Sequence, residues 1–280
     1  MTKNFLAKTL FLVFLLSAYF QAHTQLVNIE KERKTIKSGL QGSLSFAFNI
    51  TQNTRSIIQG NNNTNIQFIT KNMKNTFLIL NDYTIMKVMK QQNNFDLINK
   101  NFQHFRYNYA FSDTTKKHFG AYVYELFFQR QQNKIKYIKL RLLWGTGMRF
   151  RIINSKTLII FLCPLIMYEY EKLSDSAHTI TKTIKGDFYT SINLKINDLI
   201  LFTNVTYYEP ALINLNPNIS NFEPISDFRL YSENSLTFNL IKNRLQFMII
   251  FSLAYDSRPP VELINRPLFY NFKNALSIKF

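Results

Sequence analysis

The chain has 280 residues, with 34 Lys and Arg against 17 Asp and Glu, a formal net charge of +17. A balance this basic points to nucleic acid or an anionic surface. No nucleic-acid motif is present, so the basic groups read as lining an interior or facing anionic lipid heads. The single cysteine, Cys163, excludes an internal disulfide and a Cys-rich metal site.

Residues 1–24 read as a secretory signal peptide. Lys3 and Lys8 form the charged region, Leu10 to Leu16 the short apolar region, and Ala22-His23-Thr24 a small-x-small site before Gln25. Its removal takes two from +17 and leaves +15. An uncleaved anchor helix needs about 20 apolar residues, more than this run offers. Residues 25–38 are polar and basic, a flexible lead-in. Residues 39–280 then alternate apolar and polar positions with the period of two that marks strands.

Leu40, Leu44, Phe46, Phe48 and Ile50 give the first strand its apolar face. Gly60 and the run Asn61 to Asn63 predict a turn, and Ile66 and Phe68 a weaker strand beyond it. Phe77, Ile79, Tyr83 and Ile85 mark a third. Residues 87–100 read as an external loop or as strand extensions. Phe105, Tyr107, Tyr109 and Phe111 face outward, with His104, Arg106 and Asn108 inward. Residues 112–115 predict a tight polar turn. Tyr122, Tyr124, Leu126 and Phe128 then face outward, with Glu125 inward.

Residues 137–153, YIKLRLLWGTGMRFRII, split most cleanly. Ile138, Leu140, Leu142, Trp144, Met148, Phe150 and Ile152 share the apolar face. Lys139, Arg141, Arg149 and Arg151 share the other, with Gly145 and Gly147 between them. At about 100° per residue a helix would scatter the basic side chains around its circumference. Residues 158–170 form the next strand, with a bulge expected at Pro164, and Glu169 and Glu171 on one face. Strands follow on both sides of Asn197-Asp198, and residues 210–224 read as a long loop. Later strands carry Phe228, Leu230, Leu236 and Phe238, then Leu245 to Tyr255. The last carries Phe272, Leu276, Ile278 and Phe280 on one face.

The sum is an all-β chain, an antiparallel transmembrane β-barrel of about 12 strands; ten or fourteen also fit. Its 27 Phe and 15 Tyr suit aromatic girdles. The apolar alternation ending in Phe280 is the expected outer-membrane assembly signal. These readings place the chain as a monomer in the outer membrane of a diderm, Gram-negative bacterium. Its expected partners are outer-membrane lipids and the outer-membrane assembly machinery, with no nucleic acid.

The run YELFFQRQQNKIKYIKLRLLWGTGMRF (residues 124–150) and YDSRPP (residues 255–260), followed by a closing strand ending in Phe280, resemble a family of outer-membrane proteins known as domain of unknown function 481. The resemblance covers roughly residues 40–280. It implies an outer-membrane barrel, sometimes linked to salt stress. It implies no established activity, so no catalytic residue carries over.

The residues themselves point to no enzyme, cofactor or metal. His104, His118 and His178 stand in no nucleophile–base context. His104 reads as a hydrogen-bonded interior residue, although a lipid-modifying enzyme using it is the rival from another class. The expected interior cluster comprises Lys139, Arg141, Arg149, Arg151, Glu125, Glu169 and Glu171. Either these groups form salt bridges that plug a narrow lumen, or the basic ones line a small anion-favouring pore. Gly145 and Gly147 are expected to make room for large neighbours.

Overall fold

A computed structural model describes residues 38–52, 56–89, 94–111, 122–174, 176–216, 224–241, 245–260, 263–265 and 267–278. The expected signal peptide, nearly all of the lead-in, the turn at 112–115, His118 and the terminal Phe280 lie outside the described residues. Twelve strands follow one another: β1 (Gly39–Gln52), β2 (Ser56–Ile69), β3 (Asn75–Met89), β4 (Asn94–Ala110), β5 (Tyr122–Asn133), β6 (Ile138–Asn154), β7 (Leu158–Leu173), β8 (Ile180–Lys195), β9 (Ile200–Asn214), β10 (Phe228–Ile241), β11 (Leu245–Asp256) and β12 (Leu268–Ile278). Each pairs antiparallel with the next, in one sheet ordered β1 to β12. Among the described residues no helix is long and apolar enough to cross a membrane.

The sheet is coiled. Side chains from β4 and β8 touch across its hollow, as do those from β7 and β10. The seam lies between β1 and β12, and β1 is exposed on both faces there, from Leu44 and Phe46 outward to Ser43 and Ser45 inward.

Alternation gives the sheet two unlike faces. Leu126, Trp144, Ile166, Phe188 and Phe251 stand exposed outward, while Glu125, Leu143, Met167, Tyr189 and Ser252 are buried inward. An exposed apolar outer face around an interior that buries charged groups as well as apolar ones reverses the order of a soluble sandwich and matches a wall facing lipid. The 17-residue β6 exceeds the 9–11 residues that a tilted strand needs to span hydrocarbon, so one end projects beyond it.

Of the two readings of residues 87–100, strand extensions hold: β3 runs to Met89 and β4 starts at Asn94. Three expectations are corrected. Gly60 and Asn61 to Asn63 lie inside β2, because pairing with β1 on one side and β3 on the other outweighs their turn preference. β9 likewise runs on to Asn214, so the loop before β10 starts later than residue 210. Pro164 causes no bulge: β7 keeps one register with β8 through Pro164↔Phe188. On its other side the ladder with β6 keeps its register from Gly147↔Leu165 to Phe150↔Leu162, leaving Pro164 without a partner. The proline is absorbed by two omitted pairs, at Pro164 and Cys163, rather than by an inserted residue.

The outward face is not wholly apolar. On β9 and β10, Asn204, Thr206, Ser232 and Asn234 lie between the apolar pairs Tyr208–Leu230 and Phe202–Leu236. They satisfy one another: Asn204 Nδ2 donates to Asn234 Oδ1 at 2.9 Å and to Ser232 Oγ at 3.3 Å, and the Thr206 and Ser232 hydroxyls are 3.0 Å apart. Polar groups facing hydrocarbon are tolerated when their bonds are met internally. Asn204→Ala should therefore destabilise the refolded protein in micelles by about 0.6–1.7 kcal/mol, the range of polar contacts in membranes. Asn204→Leu combined with Asn234→Leu should recover most of that loss, read from urea unfolding midpoints.

Candidate functional site

The inward face of β6 builds the centre of the site. A register shift between Ile138 and Leu140 makes Lys139 the extra residue of a bulge, and it is exposed rather than turned into the interior. Beyond the bulge, Arg141 is 4% exposed and points inward. It bonds Glu169 Oε2 at 2.6 Å and Glu209 Oε2 at 3.1 Å, and lies 3.9 Å from Glu171. Arg229 on β10 enters from the opposite wall. It bonds Glu169 at 2.8 Å, Glu171 at 2.7 Å and Asp256 at 2.8 Å. Lys185 on β8 reaches the other oxygen of Glu169 at 2.9 Å. One network thus ties β6, β7, β8, β9, β10 and β11 across the interior.

Glu125 does not join the β6 arginines. It lies opposite Gly147 and pairs with Arg106 on β4, at 2.9 Å. Tyr189 on β8 donates to the same Glu125 oxygen at 2.9 Å. Arg106 stacks over Phe127 and donates to His104 Nε2 at 3.3 Å, which makes His104 a packed interior residue between Phe102 and Phe127. Gly145 explains how the Phe127 ring fits: a Cβ there would meet the ring at 2.3 Å. At Gly147 a Cβ would meet the Pro164 carbonyl at 2.4 Å, so its role is close backbone approach. Phe127, Leu143, Cys163, Leu165, Met167 and a row of Tyr189, Tyr207 and Tyr231 form an apolar interior core.

Arg149 and Arg151 occupy a third zone, toward the far end of β6. Both guanidinium groups lie over Phe161, Arg149 at 3.5 Å from the ring centre and Arg151 at 5.6 Å. The single expected cluster is therefore three: Arg141 with Glu169 and Glu171, Glu125 with Arg106, and the stacked Arg149 and Arg151. Lys185, Glu209, Arg229 and Asp256 complete the first. Strand parity signals that Arg229 faces inward, but no local pattern states which distant strand it meets. On β12, Phe272 pairs with Phe251, Leu276 with Phe247 and Ile278 with Leu245. Among the described residues no group of three or more His, Cys, Asp or Glu is placed to hold a metal ion.

The network is roofed at one end of the barrel by the connection after β11. Arg258, Pro259 and Pro260 line two adjoining cavities, of about 60 and 240 Å³. Lys136, in the 3₁₀ turn Lys134–Lys136 ahead of β6, lines the smaller one, with its ammonium 5.3 Å from the Phe269 ring centre. Loss of solvent pushes its pKa down to about 8; Asp256 opposes the shift and Arg141 and Arg229 add to it.

Curled antiparallel strands, an apolar outer face and a charged, packed interior define a transmembrane β-barrel. Residues 56–266 match the family described as "Protein of unknown function, DUF481", and the chain belongs to that family. No curated protein matches the chain. Among solved structures it is similar to one described as "NanC porin structure in rhombohedral crystal form", with 11% identity and a TM-score of 0.44, over 85% of this chain and 100% of that one.

Two outcomes are expected. Glu169→Gln leaves Arg141, Lys185 and Arg229 without their shared anion, and should cost about 3–5 kcal/mol in urea unfolding, as breaking a buried ion pair does. Lys136 binds its proton less tightly folded than unfolded, so the unfolded chain holds more protons between pH 8 and 10.5. Stability should rise with pH through that window. Lys136→Met should remove that rise.

Proposed function

We propose that the protein is an outer-membrane barrel of the bacterial envelope whose interior is packed, a structural element of the wall rather than a pore. The observation that carries this reading is the filled cross-section. The Phe127 ring lies over Gly145, the tyrosine row adjoins it, and the Arg141–Glu169–Arg229 network joins opposite walls. A barrel of about twelve strands is near the width that side chains can fill. Outer-membrane lipids then contact the apolar belt, and the assembly machinery reads the last strand. The chain acts as a monomer with its longer connections, after β9 and β11, outside the cell and its signal segment removed near Thr24.

A small anion-favouring pore is the competing reading, and Arg149 with Arg151 is its best support. Arg141 speaks against it, because three carboxylates surround that guanidinium and leave it little positive potential for a passing anion.

Refolded protein in planar bilayers should give no stable single-channel current. A steady anion-selective current that disappears in Arg141→Ala combined with Arg149→Ala would overturn the packed interior.

A further inference from the structure

The larger cavity is built differently from the rest of the interior. It lies between the ion network and the roof of Pro259 and Pro260, and its 240 Å³ is many times the roughly 10–15 Å³ that one water needs. One wall is a column of hydroxyls on β8: Thr179 just ahead of the strand, then Thr181 and Thr183, which a period of two places on one face. Across the ladder, Thr181 lies opposite Glu171 and Thr183 opposite Glu169. On its other side Thr183 lies opposite Asn214. Hydroxyl, carboxylate and amide are thus interleaved along the wall.

Thr183 is 5% exposed, lines this cavity, and its Oγ1 has no hydrogen-bond partner. A buried hydroxyl with both neighbours polar and neither bonded is a group waiting for a third party. The charges describe that party. The charged groups that line the cavity, Glu169, Glu171, Asp227 and Asp256 with Lys185, Arg229 and Arg258, are all in ion pairs. With each of them already paired, a charged guest would have to break a pair already formed. An uncharged guest keeps the pairs and uses what they leave over: spare carboxylate lone pairs as acceptors, and the Thr181 and Thr183 hydroxyls and the Asn214 amide as donors and acceptors.

We propose that this cavity binds one ring of an uncharged sugar, whose hydroxyls both donate and accept at close spacing. The exposed Arg258 marks the open side through which it enters. Two sources share this chemistry, a free monosaccharide and the terminal residue of an envelope glycan. The site stands whether or not the barrel conducts, because it lies on the mouth side of the network.

The test is saturation-transfer NMR on the refolded full chain in an amine-oxide detergent without sugar headgroups. Probes are glucose, galactose and N-acetylglucosamine, with glucuronate and glucosamine as charged comparators. At least one neutral sugar should receive saturation, and Thr183→Val should weaken its binding about tenfold, the loss of one good hydrogen bond. Thr190→Val, on the outward face, should leave it unchanged. If Thr183→Val does not fold, Thr181→Val replaces it and should weaken binding in the same direction. Tighter binding of a core oligosaccharide than of the free sugar assigns the glycan source, and the reverse assigns the free solute. No transfer to any neutral sugar, preference for a charged one, or binding unaffected by the β8 substitutions would overturn the proposal.

Discussion

The interior depends on one carboxylate. Glu169 is 1% exposed and is shared by Arg141, Lys185 and Arg229, which come from three other strands. Each of those cations is costly to bury alone, and each is tolerable only because the same anion, with Glu171, Glu209 and Asp256 around it, neutralises the group. A single coiled sheet has no second layer to pack against, so contacts across the hollow hold its sides at fixed distance, and the ion network is one set of them. Ladder hydrogen bonds set each strand against its neighbours; the ion network sets β6 and β7 against β10 and β11.

Packing beside that network follows a complementary rule. Where the wall curls tightly a large side chain fits only if the facing position gives up its own. Gly145 gives way to Phe127, and Phe127 in turn carries Arg106 on its ring, whose charge Glu125 and Tyr189 balance. The absence of a side chain at Gly145 on β6 therefore shapes the electrostatics two strands away, on β4. The outer face follows the same demand for satisfied groups with a different solution: Asn204, Thr206, Ser232 and Asn234 bond among themselves because lipid offers them nothing.

Most of the wall was legible from period-two alternation, because lipid on one side and a closed interior on the other impose the same pattern on every strand. The misreadings have local causes. Gly60 and the asparagines after it carry turn composition but sit between two partners, and a sheet interior overrides that preference. Lys139 keeps the alternating pattern in sequence yet leaves the face, because a bulge is an insertion in the ladder and not in the composition. Partner choice was the least legible part. Glu125 appears to belong with the next strand's arginines, and register puts it opposite Gly147 instead. Contacts such as Arg229 with Glu169 span 60 residues, and no short-range signal encodes them.

On the proposed packed interior, solutes meet this protein only at its ends, and the two ends differ. Toward the far end of β6, Arg149 and Arg151 lie over Phe161. At the other, the ion-paired network forms a floor, Pro259 and Pro260 a roof, and hydroxyls the wall between them. Glu169 and Glu171 are held there by Lys185 and Arg229, which line the cavity with them, and by Arg141. Carboxylates fixed in this way would meet a guest without first reorganising. The carboxylates that tie β7 to β10 are thus the ones that line the proposed sugar site.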